Sequence, residues 1–189
     1  MIRQLRPALV ALALFTVVSG FAYPLAVTAL AQAAMPGRAD GSIVTIQGRP
    51  AGSTLLAQPF GGPTWFHPRP SAANYDAAAS GGSNLGPTNV DLLATITERA
   101  EAYRLDNGLA DGTDVPIDAV TASGSGLDPD ISPENARLQA PRVAAARGLP
   151  LDRVLAAVDA ATSSRTAHVL GQPRVNVVEL NAALVRIGG

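Results

Sequence analysis

The 189-residue chain contains no cysteine and no lysine, and it has only two histidines. Without cysteine it can form neither disulfides nor thiolate metal sites, and cysteine nucleophiles are excluded. All 14 basic residues are arginine, and the formal net charge is −1. Because no basic block is present, the chain lacks the electrostatic footprint of a nucleic-acid-binding protein. Aromatic residues make up only 4%, so leucine, valine, isoleucine and alanine must supply most of any core.

Charge is absent from one long stretch near the N-terminus, because no charged side chain lies between Arg6 and Arg38. Within this stretch, residues 8–31 form an almost continuous apolar run. As a helix, about 24 residues at ~1.5 Å each span roughly 36 Å, enough to cross a hydrocarbon core of ~30 Å. The run is therefore predicted to be a transmembrane helix.

Two interpretations of this run give the same topology. One is an uncleaved anchor, and the other is a secretory signal cleaved after an A-x-A site at 29–31 or 31–33. The apolar part of a signal usually has ~7–15 residues, so the length favours the anchor. In both cases the arginines before the run keep residues 1–7 in the cytoplasm and place residues 34–189 outside it.

Small residues lie one helical turn apart within the run. The pairs are Thr16 with Gly20 and Ala22 with Ala26, and small faces let helices approach closely in lipid. An alanine-rich helix also produces such pairs by chance, so the spacing alone does not establish a packing face. Pro24 is expected to kink the helix unless it lies near the exit from the membrane.

The residues after the run predict one α+β domain that begins with a hairpin. Residues 42–46 and 53–58 have the composition of short strands, and a turn at 47–52 separates them. Residues 59–70 then place four prolines around Trp65, Phe66 and His67, which predicts a rigid extended loop.

Helix start and stop signals predict the remaining elements. Thr88 or Asn89 caps a helix with an apolar face that includes Leu93, and Gly108 ends it. Ser132 caps a second helix, which Pro141 is expected to kink or break. Two further helices are predicted at 151–162 and 178–185, whereas residues 115–121 are predicted to be extended.

Two loops rich in serine and glycine are candidate ligand or partner sites. The first consists of Ser80, Gly81, Gly82, Ser83 and Asn84. Its backbone N–H groups can form an anion-binding nest, but no lysine follows as in a Walker A loop. The second loop, residues 122–129, matches neither a dinucleotide-binding motif nor a nucleophile elbow. From the residues alone, a tight structural loop is the favoured interpretation of the first loop.

Two function classes other than a subunit of a complex compete. A Ser–His–acid hydrolase would use His67 or His168 with a loop serine and Asp128, but no spacing brings these groups together. Two isolated histidines also make a poor metal-ligand set. A cell-envelope module that binds a small polar ligand through the two loops is the other alternative.

The order of short motifs along the whole chain carries a family resemblance. The motifs are LRPA at 5–8, YPL at 23–25, GS at 52–53, FH at 66–67, RPSA at 69–72, ASGGSNL at 79–85, VTAS at 120–123, SGLD at 125–128, PRVA at 141–144, GQP at 171–173, VN at 175–176 and ELN at 179–181. This series resembles the C subunit of the Kdp potassium-transporting ATPase from end to end.

The resemblance implies a non-catalytic subunit of a high-affinity, ATP-driven potassium pump. A channel-like subunit would bind potassium, a P-type ATPase subunit would hydrolyse ATP, and a small membrane subunit would complete the complex. The C subunit would be a single-span protein of the inner membrane with an extracytoplasmic domain. It would bind no cofactor directly, support assembly and raise the ATP affinity of the pump.

The resemblance also suggests residues that contact partners. Besides the first Ser/Gly loop and the small-residue pairs of the span, the candidates are Thr121, Ser123, Ser125, Asp128, Arg142, Asn176 and Asn181. Because the predicted topology puts the domain outside and ATP is inside, any effect on ATP affinity must pass through the complex as a coupling between distant sites.

Overall fold

The computed structural model describes residues 2–46 and 48–188, and it divides into two compact units. The first unit ends at Ile43 and the second begins at Val44. The predicted fold class is confirmed: one N-terminal helix that qualifies as a membrane span is followed by a domain of mixed helix and sheet.

The first unit is dominated by one helix from Leu5 to Ala34 that is 30 residues long. It consists of α1 (Leu5–Val17), a π-helical turn (Val18–Ala22) and α2 (Tyr23–Ala34), and the short helix α3 (Pro36–Ala39) follows. By length and composition this helix can cross a membrane. A signal sequence near the N-terminus would have the same properties.

The π-helical turn accommodates Pro24 within the helix. Proline has no N–H, and its ring needs clearance from the carbonyl of the preceding turn. The N–H of Tyr23 donates to the carbonyl of Val18, five residues back rather than four, which widens the turn just before Pro24. The helix therefore continues through the proline.

The hairpin after the first helix is present, but its second strand lies earlier than predicted. Strand β1 (Ile43–Ile46) pairs with β2 (Arg49–Ser53). The expected turn included Gln47, which lies outside the described residues, and Gly48 follows with a φ of 76°. The prediction of a strand at 53–58 is therefore wrong. At its start the chain turns, since the N–H of Leu55 donates to the hydroxyl of Ser53.

Helix α4 (Val90–Asn107) begins and ends as predicted. The Asn89 side chain accepts the N–H groups of Asp91 and Leu92, and Gly108 ends the helix with a φ of 63°. Its apolar face is less buried than expected, because Leu93 is 51% exposed and Asn107 is the one buried residue of this helix.

Within residues 115–121, where an extended segment was predicted, four residues form the short helix α5 (Ile117–Val120). Pro116 starts the turn with its fixed φ. Asp118 then accepts the N–H and hydroxyl of Ser132. These bonds join α5 to Ser132, a contact between distant residues that the local sequence does not reveal.

A three-stranded antiparallel sheet forms the centre of the domain. Strand β5 (Arg174–Asn176) lies between β3 (Asp130–Ile131) and β4 (Thr162–Ser163), with Ile131 and Thr162 both opposite Val175. No strand was predicted in any of the three places. Runs of two or three residues are too short for a pattern of alternation.

Three helices pack on this sheet and enclose the core. They are α6 (Pro133–Arg147), α7 (Leu151–Ala161) and α8 (Val177–Ile187). The predicted caps of α6 are confirmed, since the Ser132 hydroxyl accepts the N–H of Asn135 and Gly148 ends the helix. The expected break at Pro141 is absent, because α6 is one continuous helix. The largest fully buried apolar side chains are Phe66, Ile131, Leu180, Leu184, Val143, Val154, Val158, Val175, Val177 and Val178.

Candidate functional site

The proline-rich segment, residues 59–70, is held by side-chain amides that bind its backbone. The Oδ1 of Asn181 accepts the N–H of Phe66 at 2.9 Å, and its Nδ2 donates to the Phe66 carbonyl at 3.0 Å. Gln139 binds the next residue in the same way, at 2.7 Å from the His67 N–H and 3.1 Å from its carbonyl. We call these two pairs the backbone clamp. Both amides are 1% exposed, so the clamp is shielded from water.

Two arginines of α6 continue this arrangement along the segment. Arg142 donates to the carbonyls of Pro63 and Trp65 at 2.9 and 3.0 Å. Arg147 donates to the Thr64 carbonyl at 2.6 Å, and its guanidinium lies 4.5 Å from the centre of the Trp65 ring. Burial lowers the pKa of Arg142. The segment has no regular structure, yet successive carbonyls are bonded to buried or half-buried donors.

A second polar network lies beside the clamp, between α4, α5 and α6. The Tyr103 hydroxyl donates to Asn135 Oδ1 at 2.8 Å, and Asn135 Nδ2 donates to Asp118 at 3.0 Å. Gln139 Nε2 also donates to Asn135 Oδ1, at 2.8 Å, which joins the network to the clamp. Burial, followed by the charge of Asp118, raises the pKa of Tyr103. The hydroxyl is therefore a stable donor at neutral pH.

The two Ser/Gly loops, which lie far apart in sequence, meet in the structure. The N–H of Gly81 and the hydroxyl of Ser80 both donate to the Ser125 carbonyl, at 2.8 and 3.0 Å. A Cβ on Gly82 would lie 3.2 Å from the Gly124 carbonyl. One N–H of the predicted anion nest is thus bonded within the domain. Ser83 and Asn84, the last residues of the first loop, are exposed.

The second Ser/Gly loop is tied to the rest of the domain on several sides. Ser123 is 3% exposed, and its N–H donates to the Pro70 carbonyl at 3.2 Å. The Ser71 hydroxyl donates to the Gly126 carbonyl at 2.7 Å. A Cβ at Gly126 would lie 2.8 Å from the carbonyl of Gly81. The loop therefore needs glycine for close packing, and its backbone is rigidly placed.

A charged cleft opens beside this loop and has a volume of about 430 Å³. Two ion pairs flank it: Arg69 with Asp128 at 3.1 Å, and Arg174 with Asp130 at 2.9 Å. Burial raises the pKa of Asp130, and the nearby Asp128 carboxylate adds to this while Arg174 opposes it. The cleft combines both signs of charge, which suits a polar partner better than a simple cation or anion.

The predicted site residues fall into separate groups. Asp128 and Thr121 come together at Arg69, whose Nη2 is 3.5 Å from the Thr121 hydroxyl. Asn176 lies on the same side of the domain, because its Nδ2 is 3.2 Å from Asp130. Arg142 and Asn181 belong to the segment described first, where their polar atoms bind backbone. Nothing in the structure tests whether any of them contacts a partner.

Several polar residues that organise these sites were not among the predicted ones, and four of them lie in the clamp and the cleft. They are Arg69, Asp130, Gln139 and Arg174. For Gln139 a signal exists in the sequence. Asn135 lies one turn earlier on the same helix, and each of the two amides is followed by an alanine, Ala136 or Ala140, that is fully buried. Two amides in an apolar helix face indicate a buried polar contact.

Neither histidine lies in a hydrolase arrangement. The His67 ring is 2.9 Å from the Gly62 carbonyl and 3.8 Å from Asp106, and burial lowers its pKa. His168 is exposed in the connection between β4 and β5. Within residues 2–46 and 48–188, no three His, Asp or Glu side chains are grouped as metal ligands. That the chain binds no metal or cofactor stays a prediction.

In the first unit, the helix leaves open space around Gly20, a member of one predicted small-residue pair. A Cβ there would meet only the Thr16 Cγ2, at an ordinary contact distance of 4.0 Å. A larger side chain at Gly20 is therefore compatible with the helix itself.

Comparison with known proteins gives one consistent result. The family model described as KdpC, K+-transporting ATPase, c chain, matches residues 5–186. A potassium-transporting ATPase KdpC subunit from Caulobacter vibrioides is 55% identical over 187 residues, which cover 97% of this chain and 93% of that protein. A KdpC subunit from Mycobacterium tuberculosis is 51% identical, covering 98% of this chain and 99% of the relative. The resemblance in the motif order is thus confirmed, and the chain belongs to the KdpC family, the c chain of K+-transporting ATPases.

Proposed function

We propose that this protein is an accessory subunit of an ATP-driven potassium pump, anchored in the inner membrane by the helix from Leu5 to Ala34. The observation that carries the proposal is the family match over residues 5–186, which includes both the helix and the domain. The relatives matched over almost their whole length are named as potassium-transporting ATPase subunits. Potassium and ATP are then bound by the partner subunits.

The polar residues of the domain support a structural rather than a chemical role. Asn181, Gln139 and Arg142 bind the backbone of the proline-rich segment, and Ser125 joins the two Ser/Gly loops. A nucleophile, a base and an orienting acid would need mutual hydrogen bonds. The ring of His67 faces a carbonyl and an aspartate instead.

Three partners follow from the proposal: a channel-like potassium-binding subunit, a P-type ATPase subunit and a small membrane subunit. The small-residue pairs of the span are the proposed packing faces, since close helix approach in lipid needs small side chains. Gly20 is the sharpest test position, because the free space around its Cβ means that a leucine disturbs a partner helix before it disturbs its own.

The test is copurification of the tagged, full-length protein from the native membrane in mild detergent. The wild type is expected to bring down a P-type ATPase and a polytopic partner. Gly20→Leu should reduce their yield, whereas Ser19→Leu, which places the same new side chain about a quarter turn around the helix, should not. Normal yield and transport with Gly20→Leu would remove this face as the interface. A wild-type protein that copurifies with neither partner would overturn the proposed function itself.

We also propose that any effect on ATP affinity is transmitted through the complex. Direct nucleotide binding by Ser80 to Asn84 is less favourable, because the Gly81 N–H is bonded to Ser125 and no lysine follows the glycines. The full-length protein in detergent should show no saturable ATP binding, while its removal from the pump should raise the KM for ATP. Low-micromolar binding that Gly82→Asp abolishes would contradict this.

The topology can be measured directly because the chain has no cysteine. Ala145 is exposed on α6, so Ala145→Cys offers a single reactive thiol. We expect a membrane-impermeant maleimide to label it in cells whose outer membrane alone is permeabilised. Labelling only after the inner membrane is broken would place the domain in the cytoplasm.

A further inference from the structure

The connection between β4 and β5 projects two neighbouring apolar side chains into solvent. Every residue from 163 to 174 is exposed, and Val169 and Leu170 are 73% and 64% exposed. Elsewhere among the described residues of the domain, the large exposed apolar side chains occur singly or separated along a helix. We call residues 164–173 the hairpin tip.

The hairpin tip has a defined backbone. Thr166 and Leu170 exchange two backbone hydrogen bonds, each 2.9 Å long. Of the three residues between them, Ala167 and His168 adopt positive φ angles of 52° and 66°, like the two central residues of a type I′ turn. The apolar pair is therefore presented by an ordered turn.

The residues of the tip carry no negative charge of their own, although residues 171–173 line the charged cleft together with Asp118, Asp128 and Asp130. No acidic residue occurs between Asp159 and Glu179, whereas this stretch contains Arg165 and Arg174. The guanidinium of Arg165 has one long hydrogen bond, 3.4 Å to Gln172, so its charge is not neutralised by that contact. Arg174, at the base of the hairpin, forms an ion pair with Asp130.

One stretch of the domain is strongly acidic in sequence. Residues 90–118 contain seven acidic side chains and two arginines. Tyr103 and Asn107 of this stretch form hydrogen bonds with Asn135 and Arg142 of α6. Helix α7, which leads to the hairpin, instead contacts α6 through the ion pair of Asp159 with Arg137. The acidic stretch and α7 are thus bonded to different faces of one helix, although Asp118 of that stretch lines the charged cleft with residues 171–174.

We propose that the hairpin tip inserts into the surface of a bilayer that contains anionic phospholipids. Val169 and Leu170 would enter the boundary between headgroups and acyl chains, and Arg165 would lie among the phosphates, as in interfacial anchors. The inference rests on the membrane anchoring proposed above, but it does not depend on the pump.

Lipid fits this surface better than a protein partner does. Two apolar side chains fall well short of the roughly 1,200–2,000 Å² that a stable protein interface buries. For a domain joined to a span in the same chain, even a weak contact is favoured, because the effective concentration of the bilayer is high. The charge of Arg165, and the absence of acidic side chains within residues 164–173, match a negatively charged surface.

The test uses the full-length chain, reconstituted into vesicles, with one environment-sensitive fluorophore attached at Val169→Cys. The matched control is Leu105→Cys, which replaces a side chain that is 86% exposed but lies on the acidic helix α4. In vesicles of phosphatidylglycerol and phosphatidylcholine, we expect a blue-shifted emission at position 169 and about threefold weaker quenching by aqueous iodide than at position 105. Quenching by nitroxide lipids should show the reverse order.

Charge is tested by the lipid and by one further substitution. The protection at Val169 should weaken in vesicles of phosphatidylcholine alone, and also with Arg165→Glu in the anionic vesicles. Equal exposure of Val169 and Leu105 in a chain that floats with the vesicles would overturn the inference and leave the anchoring intact. Protection that arises only when pump subunits are added would instead identify a protein-binding site. A chain that does not float would overturn the anchoring and this inference together.

Discussion

Replacing Asn181 by leucine tests the backbone clamp while it keeps the number and branching of the side-chain heavy atoms. The substitution removes the acceptor and the donor that pair with Phe66, at 2.9 and 3.0 Å. Two buried backbone groups without partners cost ~1–3 kcal/mol each, or about 2–6 kcal/mol together. The greater apolar surface of leucine offsets about 1–2 kcal/mol of this. Taking the middle of each range, we expect a net loss of about 2.5 kcal/mol, a large part of the ~5–15 kcal/mol typical of a domain.

The chain supplies its own probe for this measurement. Trp65 is the only tryptophan and lies directly before Phe66, so its fluorescence reports on the clamped segment during urea unfolding in mild detergent. With a slope of ~1–3 kcal/mol per molar urea, the midpoint should fall by about 1–2 M. The control Arg186→Ala, on the exposed end of the same helix, should change stability by less than about 0.5 kcal/mol. A midpoint for Asn181→Leu as high as that of the control would refute the reasoning.

Three further changes give expected outcomes in the same unfolding assay. Gly126→Ala should cost about 1–3 kcal/mol because of its φ of 68° and the close Gly81 carbonyl, whereas Gly124→Ala, with open space around the Cβ, should cost nothing. Ser132→Ala should cost about 1–2 kcal/mol through the lost helix cap. Burial lowers the folded pKa of His67 below 6.5, so the unfolded state binds the proton more readily, and stability should fall as pH drops through 6.5. A pH profile that is the same in His67→Gln would contradict this.

The helix ends were predictable because their signals are local. Asn89 and Ser132 bind N–H groups two or three residues ahead, and Gly108 and Gly148 adopt the left-handed conformation that a helix end needs. These interactions involve residues that are adjacent in the sequence. Reading the residues one turn at a time is therefore enough to locate them.

The sheet and the clamp were not predictable because both depend on distant partners. Strand β3 has two residues and acquires its identity from pairing with Asn176 and Val175. Gln139 and Asn181 reach residues 72 and 115 positions away. The helical periodicity shows which helix face Gln139 and Asn181 occupy. It does not show that the extended proline-rich segment will pack against that face.

In the candidate site, too, local features were predictable and contacts between distant residues were not. The two Ser/Gly loops were recognisable from composition, whereas their contact through Ser125 and Gly81 was not. The cleft beside them depends on Arg69 and Asp128, which come from separate loops. Charged residues scattered over a sequence carry no signal of which ones will meet, since the pairing follows from the whole fold.

The clamp also has a consequence for how the proline-rich segment can vary. Asn181 and Gln139 bind only main-chain atoms of Phe66 and His67, and every amino acid other than proline carries these atoms. The attachment therefore does not depend on which side chain occupies position 67. Strand pairing has the same property, because it too uses only backbone groups. That surface can be reshaped for a different partner without detaching the segment, while the two amides that hold it cannot be exchanged.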